Sequence, residues 1–157
     1  MIDATAPDGG GNAAQIAYWN DRIAITWTTF QEQIDTVFAP LTAVALNAAA
    51  PAAGERVIDI GCGCGATVLE LARRVGSAGH VLGLDVSEPM SPRARERIAA
   101  AQLGNAEVIV HDAATYVFRR NDGAVTDIET VREHQRFALA HVRSNVFVVN
   151  RCLRSIG

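Results

Sequence analysis

The run Val57-Ile58-Asp59-Ile60-Gly61-Cys62-Gly63-Cys64-Gly65 constrains this chain more than any other stretch. Residues 57–60 are mostly β-branched and apolar, the mark of a strand, expected over about 56–60, buried in a parallel sheet. Three alternating glycines then predict a turn, because glycine enters left-handed backbone without steric penalty. Val68, Leu71, Ala72 and Val75 follow at helical spacing, so residues 66–75 are expected to form a helix with Gly76 as its C-cap. Strand, glycine turn and helix make the opening unit of a doubly wound nucleotide-binding sheet.

The alternation continues downstream. Residues 80–85 predict a second strand and residues 107–111 a third, closed by Asp112. Between them, Ser87 is expected to cap a helix running through Arg93 and Ile98 towards Gly104. Upstream, residues 12–54 read as a helical cover. Ile16, Tyr18 and Trp19 cluster there, and Phe30, Ile34, Val37 and Phe38 recur at helical spacing. Pro40 is expected to open a fresh helix carrying Leu41, Val44 and Leu46, which Pro51 and Gly54 end. Residues 1–11, polar and glycine-rich, are expected to be disordered. The expected fold class is α/β: a three-layer Rossmann-like parallel sheet with a helical N-terminal extension, incomplete at the C-terminus. Its divisions are 1–11, the cover 12–54, a nucleotide-binding core 55–118 and a tail 119–157.

At 157 residues the chain makes one domain. Its net charge is −3, its basic residues are all arginine, and no basic cluster precedes the last third. Nucleic acid is therefore disfavoured as a partner, because its binding rests on phosphate neutralisation. Three cysteines, two of them inside the glycine turn, make no disulfide framework and fit a reducing cytoplasm. Cys62 and Cys64 read as small turn-fillers; zinc needs four ligands, so no metal is expected. Met1-Ile2-Asp3 lacks the basic opening of a signal peptide, and no apolar run approaches the roughly 20 residues of a membrane helix. The expectation is a soluble cytoplasmic protein with no membrane partner. Its oligomeric state is not set by the sequence.

In a doubly wound sheet the ligand lies at the carboxyl ends of the strands. Asp59, Asp85 and Asp112 stand at or beside three such ends. Asp85 comes 20 residues after Gly65, the spacing at which an acid meets ribose hydroxyls. Asp112 could accept from an adenine amino group, and the first turn of the helix at 66–75 offers N–H donors to an anionic group. No arginine lies between Val57 and Ala72, and Asp85 is followed by Val86, Ser87 and Glu88. Three acids without a nearby base suit a net-positive nucleoside with one small anionic group. S-adenosylmethionine, with a sulfonium, an ammonium and a carboxylate, is such a ligand, and Asp59 would sit near its ammonium, directly or through water. A dinucleotide dehydrogenase is the competing reading, since Gly61-x-Gly63-x-x-Ala66 also fits the looser Rossmann pattern. His111 reads either as a general base or as a packed or solvated strand-end residue. Trp19 and Trp27 read as a cover for the cofactor or as core. Arg93, Arg95 and Arg97 read as a solvated face.

Asp59-Ile60-Gly61-Cys62-Gly63-Cys64-Gly65 resembles the first motif of class I S-adenosylmethionine-dependent methyltransferases. Leu82-Gly83-Leu84-Asp85-Val86-Ser87-Glu88-Pro89-Met90 resembles their ribose-binding motif, and His111-Asp112-Ala113 their adenine-binding one. Tyr18-Trp19-Asn20 and Ala39-Pro40-Leu41 resemble the leader of the branch that methylates small molecules. The resemblance covers about residues 13–118. It implies that Val86 and Met90 line the adenine pocket and that Ala113 accompanies Asp112 there. After Phe118 the likeness stops, so the C-terminal part is truncated or divergent: the family's Phe-Asp-x-Val strand and Leu-Arg-Pro-Gly-Gly turn do not stand in residues 119–157. In that tail Ile128, Val131, Gln135, Ala138, Leu139 and Val142 share a helical face, and 146–149 reads as a strand. The tail is read either as an abbreviated end to the domain or as the product of a shifted reading frame. The expected function is methyl transfer from S-adenosylmethionine to a small-molecule acceptor; the alternative is an incomplete domain without turnover. No catalytic residue is identified.

Overall fold

The computed structural model describes residues 13–119, 125–126, 139–142 and 146–150. Three helices lead: α1 (Ala13–Asn20), α2 (Arg22–Thr29) and α3 (Gln31–Ala49). They are followed by β1 (Arg56–Ile60), α4 (Ala66–Val75), β2 (His80–Asp85), α5 (Met90–Ala100) and β3 (Ala106–Val110). Four strands complete the described elements: β4 (Phe118–Arg119), β5 (Val125–Thr126), β6 (Leu139–Val142) and β7 (Val146–Asn150). β4 and β5 pair with each other, while the main sheet has the order β3-β2-β1-β7-β6. From β1 the chain builds outward through β2 and β3, all parallel, then returns to lay β7 parallel on the other side of β1. The strand order thus reverses at β1. In a Rossmann-like sheet that reversal opens the ligand crevice at the carboxyl ends of the strands.

The bounds of β1, α4 and β2 match the sequence expectation, and β3 begins one residue earlier than expected. Strand pleating turns Val57, Val81 and Val108 towards one layer of helices. There they form a continuous core with Val68, Leu71, Ala72 and Val75 of α4, Ile98 of α5 and Leu46 of α3. Each fully buried Val or Leu in such a core contributes about 1.5–3 kcal/mol of transfer free energy. Gly83 of β2 lets α4 lie this close, because a Cβ there would come within 2.9 Å of Cys62 Sγ and 3.0 Å of Val68 Cγ2.

Three expectations are corrected. Pro40 does not start a helix but sits inside α3, on its exposed side, where losing one backbone hydrogen bond costs least. That helix ends at Ala49, just before Pro51 as expected, with Ala50 as its C-cap in left-handed backbone, φ 41°. Pro51 disfavours further helix at the residue before it. Leu139 and Val142, expected on a helix face, lie in β6, which pairs antiparallel with β7. Two short apolar runs three residues apart satisfy each other as a hairpin, and β7 fills the open edge of β1. Finally, α5 starts at Met90 rather than just after Ser87. Ser87 still caps the chain's entry, its Oγ accepting the Met90 N–H at 3.3 Å. The stretch 1–11, and Ile128, Val131, Gln135 and Ala138 of the expected tail helix, lie outside the described residues. Among the described residues no helix is long and apolar enough to cross a membrane.

Candidate functional site

The alternation of glycines has a backbone cause. Gly61, Gly63 and Gly65 have φ of 76°, 52° and 81°, all in the left-handed region that side chains resist. The turn is sewn to the end of β2: the Gly61 and Cys62 N–H groups donate to the Leu84 carbonyl at 2.7 and 3.2 Å. Gly65 also meets a packing demand, since an added Cβ would stand 2.9 Å from Ala94 Cβ, where α5 crosses the turn. Gly61 differs, because a Cβ there would meet nothing within 4 Å. The open side of the turn is thus at Gly61, and its packed side is at Gly65.

Asp85 joins the turn to the strand-2 loop. Its Oδ2 accepts the Gly63 N–H at 2.6 Å and its Oδ1 accepts the Ser87 N–H at 2.8 Å. The residue is 7% exposed, and that burial pushes its carboxyl above the ordinary value, against backbone N–H groups that pull it down. The Val86 N–H acts on the same carboxylate, which with about four lone-pair sites keeps capacity to accept from a ligand. The end of β3 is tied to the same place by the His111 N–H, which donates to the Asp85 carbonyl at 2.9 Å. Asp112 follows directly. Its Oδ1 accepts the Ala114 N–H at 2.9 Å, and Ala113 is half-buried beside it. Met90 is buried and faces Gly63, its Sδ 3.7 Å from where a Cβ would be; Val86 is half-buried.

Asp59 lies elsewhere than its place at the strand end suggests. It shares the helix-facing side of β1 with Val57, is 0% exposed, and accepts a hydrogen bond from Thr67 Oγ1 in the first turn of α4. A carboxylate at a helix N-terminus is favoured by the helix dipole, so Asp59 braces α4 beneath the turn. The structure therefore brings Asp85, Asp112 and the glycines to one end of the sheet and sets Asp59 under them.

Sequence reasoning missed two polar clamps. Arg97, expected in a solvated face, donates from one guanidinium nitrogen to the Cys64 carbonyl at 2.5 Å and from the other to Asp35 Oδ2 at 2.6 Å. Gln31 Nε2 donates to the same Asp35 oxygen at 2.7 Å, and Arg93 donates to Gln31 Oε1 at 3.1 Å. The turn is free of arginine along the chain but not in space, because the crossing at Gly65 carries α5 past it. Asp35 offsets that charge. Arg95 is likewise engaged, donating to the Val108 carbonyl at 2.9 Å. Asn20, at the end of α1, makes the second clamp. It donates to the Val86 carbonyl and accepts the Glu88 N–H, each at 2.8 Å. The contacts that join separate elements lie 33 to 68 residues apart and have no periodic signature; only the Gln31–Asp35 pair has helical i,i+4 spacing.

Cys62 and Cys64 fill the turn as expected, both buried. Burial pushes the Cys64 thiol up to about 11, and Cys62 well above its ordinary value with help from Asp59 and Asp85. Trp19 and Trp27 pack edge-to-face at 5.9 Å, and Trp27 stacks on Phe38 at 6.0 Å, in the helical cover. His111 is exposed. Its Nδ1 lies 2.9 Å from the Asp112 carbonyl, which only accepts, so the neutral ring carries its hydrogen there and presents a lone pair at Nε2.

A family model described as a methyltransferase domain matches residues 57–152. Aklanonic acid methyltransferase DauC of Streptomyces sp. (strain C5) is 40% identical over 78 residues, 50% of this chain and 36% of that protein. Nocamycin O-methyltransferase of Saccharothrix syringae is 36% identical over 81 residues, 52% of this chain and 29% of that protein. Demethylmenaquinone methyltransferase of Listeria innocua is 38% identical over 68 residues, 43% of this chain and 29% of that protein. The chain thus spans about a third of the length of these relatives. A solved structure from Methanococcus maripaludis, described as an S-adenosyl-L-methionine-dependent methyltransferase, aligns with TM-score 0.51. It is 23% identical and covers 75% of this chain and 50% of that one, a likeness of fold.

Proposed function

Because the chain belongs to the methyltransferase-domain family, we propose that its glycine-turn crevice binds S-adenosylmethionine and serves methyl transfer to a small-molecule acceptor. One observation carries the reading: Asp85 grips the turn through Gly63 while the Gly61 side stays open, at the point where strand order reverses. The donor set fits this ligand. The arginine that reaches the turn is committed to Asp35 and the Cys64 carbonyl, so a diphosphate there would find no free cationic side chain among the described contacts of the turn. Asp85 and Asp112 suit neutral hydroxyl and amino donors instead.

S-adenosylmethionine, when bound, supplies a methyl carbon already activated by its sulfonium for in-line attack. The chain's own contribution is placement. Asp85 accepts from the ribose hydroxyls, Asp112 from the adenine amino group, and Val86, Met90 and Ala113 wall the adenine. Gly61, Gly63 and Gly65 admit the ligand's amino-acid end close to the backbone. Asp59 acts on that end through the turn it braces at Thr67. Holding donor and acceptor in line is the main source of rate in such chemistry.

The named relatives act on aklanonic acid, nocamycin and demethylmenaquinone by their names, which supports a small organic acceptor over a macromolecule. Methyl-labelled S-adenosylmethionine incubated with the chain and these acceptors tests the proposal. Label appearing in an acceptor is the expected result. Label that binds but never leaves would overturn the transferase reading and favour a cofactor-binding domain without turnover.

A further inference from the structure

We propose that Asn20 is a positioning residue for the cofactor: its amide latches α1 onto the loop after β2, so that docking of α1 and cofactor binding reinforce each other. The inference rests on the cofactor reading above. Asn20 Nδ2 donates to the Val86 carbonyl at 2.8 Å, and Asn20 Oδ1 accepts the Glu88 N–H at 2.8 Å. The same Nδ2 also donates to the Ile16 carbonyl at 2.8 Å, which fixes the side chain on its own helix. Between the two loop contacts, the Ser87 N–H is held by Asp85 Oδ1. Every step of the loop from Val86 to Glu88 is therefore bound by a side chain, two from Asn20 and one from the strand-2 acid.

The other half of the inference concerns α1 itself. It is eight residues long and buries none of them. A helix that short does not stand alone in water, and without a buried face its attachment depends on few contacts. They include the Asn20 amide and the edge-to-face packing of Trp19 on Trp27 in α2. Asn20 thus commits both amide hydrogens and one lone pair of its oxygen to one loop and one helix turn. A ligand that needs the loop in this shape binds better with α1 docked. By linkage it must stabilise the docked α1 by the same factor.

The experiment uses the full chain, Asn20→Ala and Asn20→Asp. S-adenosylhomocysteine is titrated by calorimetry, Tm is measured, and hydrogen exchange of α1 amides is followed with and without that ligand. Asn20→Ala should raise Kd by roughly 5- to 30-fold, the factor that one or two hydrogen bonds represent, with a fall in Tm of only a few degrees. Asn20→Asp keeps the acceptor for Glu88 but sets a carboxylate oxygen against the Val86 carbonyl, so it should weaken binding at least as much. In the wild type the ligand should slow α1 exchange; in Asn20→Ala it should not. Unchanged affinity in Asn20→Ala, or wild-type α1 exchange indifferent to the ligand, would overturn the latch. A lowered Tm with no change in Kd would mark a merely structural role and also overturn it. A wild-type chain that binds no S-adenosylhomocysteine would instead bring down the cofactor reading beneath it.

Discussion

Substituting Asp85 separates the two tasks of its carboxylate, holding the turn and receiving a ligand. Its oxygens hold the Ser87 N–H at 2.8 Å and the Gly63 N–H at 2.6 Å. In Asp85→Ala both donors lose their acceptor. Ser87 is fully buried, so its N–H carries the larger penalty, about 1–3 kcal/mol. Gly63 lies at the half-exposed edge of the turn, where water can replace the lost oxygen, and adds about 1 kcal/mol or less. Against this stands relief from a desolvated carboxylate. The net loss should be roughly 1–3 kcal/mol. Asp85→Asn keeps one acceptor but turns an NH2 towards the other N–H, so it should fall between wild type and Asp85→Ala. The pH dependence has a definite sign. A raised folded-state pKa means the native protein holds this proton more tightly than the unfolded chain does. That contribution is fully present below the ordinary carboxylate range and is lost as pH rises through the raised value; Asp85→Asn should lack the loss. Ribose hydroxyls donate to the ionised form, so S-adenosylhomocysteine affinity should rise over the same interval in the wild type alone. Urea denaturation and calorimetry across the acid range read both effects. An Asp85→Ala protein as stable as wild type, with unchanged affinity, would refute the assignment.

Gly65→Ala should cost roughly 2–5 kcal/mol in denaturant unfolding, from left-handed backbone plus the clash with Ala94. Gly61→Ala should cost only the backbone share, about 1–2 kcal/mol, yet lose S-adenosylhomocysteine binding, since its methyl enters the open side of the turn; calorimetry on a folded variant decides it. Arg97→Ala should destabilise by about 1–3 kcal/mol in urea, because it leaves the Cys64 carbonyl without this donor and Asp35 with Gln31 but no counter-charge, in a site where both charged side chains are mostly covered. Arg97→Lys should recover only part of that, a lysine lacking the fork that serves both partners. Cys62 and Cys64 should resist iodoacetamide at neutral pH in the native protein and label once unfolded, because burial keeps both thiols protonated; peptide mapping that finds rapid native labelling would contradict this.

The parts of the fold legible in the sequence were those written in local pattern. The apolar runs of β1 and β2 and the periodicity of α4 gave their bounds, and the glycine alternation reported three positive φ values. The setting of Asp59 has a readable signal in the strand. Two residues from Val57 on a strand, it had to share that residue's buried face. The run of arginines on α5 suggested solvent because charge counts say nothing about partners on α3 or in the turn. Asn20 was quoted as part of a motif but not as a clamp, its loop partners lying far along the chain. Pro40 misled because a proline on an exposed helix face is tolerated. Leu139 and Val142 misled because a three-residue spacing fits a helix face as well as the two ends of a short strand.

On this reading the crevice takes a cationic adenosyl donor in preference to a phosphate-bearing cofactor. Competition calorimetry on the full chain tests it most directly, with S-adenosylhomocysteine titrated in the absence and presence of S-adenosylmethionine, NAD and NADP. One S-adenosylhomocysteine per chain should bind saturably, displaced by S-adenosylmethionine and untouched by either dinucleotide. Saturable binding of NAD or NADP, with no heat from S-adenosylhomocysteine, would contradict it.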